Sequence, residues 1–181
     1  MYNLRTPLVI RQAGYDDIKL SAHYETKSLE PPIYYSIRIA LVTEKYWEVE
    51  LIHNKLFLKN KPTAVQGFSI SHGHNLIIIN RAWKHRKIIL RVGAGIALVH
   101  PETTIRNEKY SENKGIFKMG YYIAGPVVQI AIEKQFNLYK KLFAAVEGKF
   151  ICSFSRIPIS DGNADVLNVA FHGLLGLSYH F

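Results

Sequence analysis

The chain has a single cysteine, Cys152, in 181 residues. One thiol excludes an intrachain disulfide framework and a structural zinc site built on cysteines. No run of about 18 apolar residues occurs, which excludes a transmembrane helix. No basic segment followed by an apolar run opens the chain, so a secretory leader is expected to be absent or already removed. Phosphate-loop and dinucleotide signatures are missing, because Gly93-Ala94-Gly95 follows a strand pattern rather than a G-x-G-x-x-G turn. Charged residues make up only 20%, and acidic residues are outnumbered 14 to 23 by lysine and arginine.

Hydrophobic residues, at 48%, are ample for a core and exclude disorder. No internal repeat or linker interrupts the chain, so one domain is expected over 1–181, with 1–14 as an N-terminal segment. The net charge of +9, with 12% aromatic residues, points to an anionic partner, either nucleic acid or a lipid surface.

The dominant period is two. Ile37, Ile39 and Leu41 alternate with Ser36, Arg38 and Ala40; Trp47, Val49 and Leu51 alternate with Glu48 and Glu50. The same holds for Ile88, Leu90 and Val92 with Ile89, Arg91 and Gly93, and for Leu175, Leu177 and Tyr179 with Gly176 and Ser178. Such alternation predicts β-strands with one apolar and one polar or small face. Roughly eight strands are expected, near 15–25, 33–42, 46–58, 65–80, 87–100, 119–134, 138–157 and 165–181. Short turns at 43–45, 81–86 and 135–137 alternate with longer connections at 26–32, 59–64, 101–118 and 158–164. Pro126 predicts a bulge or break in the sixth strand.

An antiparallel sheet of this length is expected to close, which removes its edges. The polar face would carry Lys19, His23, Arg38, Glu48, Glu50, Arg91, Gln129, Glu133, Glu147, Lys149, Asn168 and His172. Both charge signs occur among small residues. That composition suits a narrow lumen whose charges pair: Arg38, Glu48, Glu50, Arg91, Glu147 and Lys149 are the predicted network. The opposite face is almost uniformly aliphatic and aromatic. The terminal Phe181, preceded by Tyr179, Leu177 and Leu175 at alternate positions, resembles the C-terminal signature of bacterial outer-membrane β-barrels.

By that signature, strand count and face chemistry, the chain resembles the small eight-stranded outer-membrane barrels of the OmpA, OmpX, OmpW and PagL type. The resemblance implies an all-β, closed, antiparallel up-and-down transmembrane barrel in the bacterial outer membrane. It implies a monomer recognised by the insertion machinery through Phe181, with short periplasmic turns and longer extracellular loops. Tyr46, Trp47, Trp83, Phe136, Tyr139, Tyr179 and Phe181 would form the periplasmic aromatic girdle. Nucleic acid then recedes as a partner. Basic residues divide between Lys84, Arg86, Lys87, Lys140 and Lys141 at one end and Lys59, Lys61, Arg106 and Lys109 at the other, with no strip of stacking aromatics.

Strand parity places His53, Lys55, His72, His74, His100 and Glu102 on the outward face, at the depth of the outer leaflet. Three meanings stay open for this patch. It is interfacial polarity; or Lys55, Arg106, His53 and His100 dock lipopolysaccharide phosphates; or His72, His74 and Glu102 are catalytic, with His as base and Glu102 orienting it. The last has a counterpart in PagL-type lipid A deacylases, whose motif His-x-Ser-Asn resembles His72-Gly73-His74-Asn75, with His74 in the serine place. In a regular strand Ser71 and His72 point to opposite faces, which argues against a serine nucleophile. A His-x-His pair can chelate zinc with His53, His100 or Glu102, but no metal or other cofactor is expected. A one-residue bulge would reverse the facing of His72 and His74. The expected function is binding of lipopolysaccharide at the outer-leaflet face; any enzymatic activity would be a lipid A acyl hydrolase. The alternatives are an adhesive barrel acting through loops 101–118 and 158–164, and a soluble barrel holding a small apolar ligand.

Overall fold

The computed structural model describes residues 1–41, 43–111, 115–116 and 118–180. Among them there is no helix. The described residues form thirteen antiparallel strands: β1 (Tyr2–Asn3), β2 (Thr6–Gln12), β3 (Ile18–Ala22), β4 (Tyr24–Glu25), β5 (Tyr35–Ala40), β6 (Lys45–Leu58), β7 (Val65–His85), β8 (Ile88–Val99), β9 (Glu102–Ile105), β10 (Glu108–Lys109), β11 (Tyr122–Tyr139), β12 (Leu142–Ile159) and β13 (Gly162–Tyr179).

The six long strands form one meander, β6-β7-β8-β11-β12-β13, each paired with the next. Residues 2–12, expected to precede the first strand, form β1 and β2 along the upper part of β13. Their alternation explains this: Thr6, Leu8, Ile10 and Gln12 are buried, and the residues between them are more exposed. β2 pairs with β3, while β4 and then β5 follow one another down β6. β1 begins opposite Phe171. Below that point residues 172–179 of β13 pair only with β12, and β5 pairs only with β6, so no ladder joins β5 to β13.

Several boundaries differ from the sequence expectation. The turn placed at 135–137 falls at Lys140–Lys141, because Gln135 continues the buried row and Phe136 the exposed one. The loop placed at 158–164 is a two-residue hairpin turn, since β12 runs to Ile159 and β13 starts at Gly162. Within 101–118, β9 and β10 form a hairpin that adds to the upper part of β7. The irregularity expected at Pro126 lies just before it, between Ile123 and Gly125.

The two faces change character along the strands. Toward the short turns at 43–44, 86–87 and 140–141, the exposed face is apolar: Val49, Ile79, Leu90, Val92, Val128, Ile130 and Ile132 are each more than half exposed. Trp47, Trp83, Phe136, Tyr139 and Tyr179 are exposed at that end, whereas Tyr46 of the expected girdle is buried. The inner face at this level is charged. Toward the other end the inner face becomes an apolar core of Leu8, Ile10, Ile52, Leu56, Ile70, Ile78, Ile157 and their neighbours. There Ala22 and Tyr24 are buried and Lys19 is exposed, the reverse of the expected facing. An apolar interior at that height selects the apolar side of the strand.

Candidate functional site

The charged interior brings together all six residues predicted for it. Glu48 and Glu50 come from β6, Arg91 from β8, Glu147 and Lys149 from β12, and Arg38 from β5. Arg38 contacts Glu50 (3.3 Å), Glu133 (2.8 Å) and Glu147 (2.5 Å). Arg91 contacts Glu48 (2.6 Å), Glu133 (3.0 Å) and Glu147 (3.3 Å). Lys149 contacts Glu50 (2.5 Å) and Glu147 (3.3 Å). Glu133 belongs to the network as well. It stands directly opposite Glu147 in the β11–β12 register, and the two arginines bridge this pair of like charges. Asn80 and Gln129 donate to Glu50. The network borders a cavity of about 970 Å3 between β5 and the lower part of β13.

The histidine patch is divided by a bulge. Asn54 pairs with His74, but the next pair along is Leu56 with Ile70, so Ser71, His72 and Gly73 on β7 stand against Lys55 alone on β6, two residues in excess. Gly73 sits at φ +144°, and a Cβ there would meet the Asn75 amide at 2.5 Å. Only glycine accepts that backbone without strain. Its carbonyl accepts the His100 amide at 3.0 Å. The bulge separates His72 from His74. His74 is fully buried inside, with Nδ1 2.8 Å from Asn54 Oδ1 and Nε2 3.4 Å from Ser153 Oγ. The outward facing expected for His74 is therefore reversed, and it lies apart from the other two residues proposed with it.

His72 is exposed and its Nδ1 contacts Glu102 Oε1. Ser71 Oγ donates to the same carboxylate oxygen. The bulge thus places Ser71 and His72 on one group, which a regular strand forbids. His100 completes the cluster: its Nδ1 lies 4.0 Å from Glu102, and its ring centroid is 5.0 Å from that of His72. Tyr121 packs edge-on against His100 and donates its hydroxyl to the His72 carbonyl at 3.1 Å. The sequence offered no spacing that singles out Tyr121, which lies across the 101–118 connection. Glu102 stands between Ser71 and His72, and the imidazole nitrogen nearest the serine hydroxyl, at 3.3 Å, is the one facing Glu102. Base-assisted attack by serine requires the imidazole, not the carboxylate, on the hydroxyl.

The remaining residues expected to dock lipid are occupied elsewhere. His53 Nδ1 meets Asn75 Oδ1 at 2.7 Å, under a stacked Tyr35. Lys55 is buried and donates to the Glu30 carbonyl at 2.7 Å. Arg106 donates to Gln12 and to the Asp16 carbonyl, both at 2.9 Å, and lies over Tyr15. Phe181 lies outside the described residues. Comparison of the chain with family models, with curated proteins and with solved structures finds no match.

Proposed function

We propose that this chain is an integral β-barrel of the bacterial outer membrane that binds lipopolysaccharide at its outer-leaflet rim, where Ser71, His72, His100 and Glu102 meet the lipid A headgroup region. The observation that carries this reading is the inversion of the two faces at one level of the sheet. Aliphatic residues from β5 to β13 are exposed there, while four carboxylates and two cations are buried behind them, with partly buried Arg38 at their edge. A contiguous exposed apolar surface of that extent is a liability in water and a requirement in a bilayer. The pairing pattern fits an eight-position barrel. β1 and β2 share one position beside β13; β3, paired with β2, runs on into β4 and β5, which pair with β6, and these three share one position; the six long strands supply the rest. His72 and Glu102 lie beyond the belt on the outer side, and Tyr121, which touches His100 and the His72 carbonyl, falls in sequence between exposed Met119 and Ile123.

Two measurements test this. Folded protein should require detergent or lipid, and its mobility on SDS gels should shift on boiling. A chain that stays monomeric and folded without detergent overturns the membrane assignment. Lipid A from cells with and without the protein is then compared by mass spectrometry, beside direct binding of purified lipopolysaccharide to the folded barrel. Absence of binding overturns the ligand. Loss of an acyl chain dependent on His72 and Glu102 would make the protein a lipid A acyl hydrolase.

A further inference from the structure

We propose that His72, His100 and Glu102 form a binding site for one zinc-class divalent cation, with a fourth position open to solvent. The three side chains each offer a ligating atom, and these atoms lie within 4.8 Å of one another. Tetrahedral zinc with bonds of about 2.0–2.1 Å sets its ligand atoms about 3.3 Å apart. His72 is exposed and Glu102 half-buried, so rotations of these two side chains bring the set to that spacing.

A second observation points to the same ligand. His100 is only 8% exposed, and its Nδ1 is buried without a hydrogen-bond partner while facing Glu102. A buried imidazole nitrogen left without a partner costs free energy, and a metal bond at that atom removes the cost.

The donor set selects the ion. Two imidazoles and one carboxylate suit zinc and its neighbours in the first transition row, whereas calcium and magnesium require more oxygen ligands. Two histidines and a glutamate with an open position is a donor arrangement found in catalytic zinc sites, where bound water becomes a nucleophile near neutral pH. The surroundings fit an outer shell. Ser71 holds the Glu102 carboxylate, and Tyr121 holds the His72 backbone and the edge of the His100 ring. The bulge at Gly73 is what turns His72 toward this set and His74 away from it. None of this depends on the membrane assignment, since the cluster would bind zinc in a soluble barrel equally well.

The test uses the full chain, folded and stripped with a chelator, then titrated with Co2+ followed by Zn2+. One equivalent of Co2+ should bind and give the visible absorption of a four-coordinate site, and Zn2+ should displace it. His72→Ala and Glu102→Gln, at exposed and half-buried positions, should abolish stoichiometric binding while the strand content by circular dichroism stays unchanged. His100→Ala should do the same. Ser71→Ala should weaken affinity about tenfold. His85→Ala, at the opposite end of the sheet, should bind as the parent does. The proposal fails if the parent binds no stoichiometric metal. It fails equally if His72→Ala and Glu102→Gln bind as the parent does, or if His85→Ala abolishes binding.

Discussion

Arg38 on β5 reaches Glu147 on β12 at 2.5 Å across the interior, although β5 shares no ladder with β12 or β13. A side chain therefore spans a gap that the backbone leaves open. Arg38 also engages Glu133 and Glu50, so one guanidinium from an edge strand touches three carboxylates that Arg91 and Lys149 neutralise only in part. Replacing Arg38 with Ala should destabilise the fold by about 3 kcal/mol, because it strands buried charge. Urea unfolding in detergent micelles, followed by tryptophan fluorescence, measures the loss. Replacing Glu147 with Gln in the Arg38→Ala background should recover part of it, by removing one of the stranded charges.

The exposed and buried aliphatics should respond differently to substitution. Ile130 is 56% exposed in the middle of the apolar belt, and Ile78 is fully buried in the core. Ile130→Arg should cost about 2–4 kcal/mol in a bilayer and almost nothing in a solvent-exposed setting. Ile78→Ala should cost about 2–5 kcal/mol in either, since it leaves a cavity. Unfolding from lipid vesicles measures both, and a silent Ile130→Arg would contradict a lipid-facing wall.

Asp165 lies near the β12–β13 turn, held by Arg156 at 2.7 Å and 3.0 Å and by Arg11 at 2.6 Å. The Arg156 hydrogen bonds, with the one from Arg11, hold its carboxyl below the usual carboxylate range. A depressed folded-state value means that stability from this group is complete above the unfolded value, about pH 3.9. It is lost as pH falls through the folded value below that. Asp165→Asn should therefore lower stability at neutral pH and flatten the acid limb of the stability curve. Thermal unfolding between neutral pH and strong acid shows whether it does.

Gly73→Ala should damage the histidine cluster more than the sheet. The substitution forces a side chain into φ +144° and against Asn75, at a cost of roughly 1–3 kcal/mol. Relief of that strain removes the bulge, turns His72 away from Glu102, and should cost metal or lipid binding disproportionately. Comparing the shift in Tm with the shift in binding affinity separates the two effects.

Period-two alternation was enough to reveal an all-antiparallel sheet, its long strands and the charged interior. Each depends on local chemistry, since a strand with Glu48, Glu50, Trp47 and Val49 has only two faces on which to place them. Even so, Glu133 was visible only as a polar-face residue, because its role depends on the register that sets it opposite Glu147. The tertiary structure decided what alternation cannot encode. It set the height at which the inner face turns from charged to apolar, and with it the burial of Ala22 and Tyr24. It divided His72 from His74 through a bulge in which three residues of β7 oppose one of β6, although spacing alone placed them together. A bulge is a mismatch between two paired strands, so neither strand's sequence contains it. The scarcity of cysteine, of long apolar runs and of acidic charge excluded whole classes of protein, and strand parity put His72, His74, His100 and Glu102 in one patch; only folding kept His72, His100 and Glu102 together and turned His74 inside.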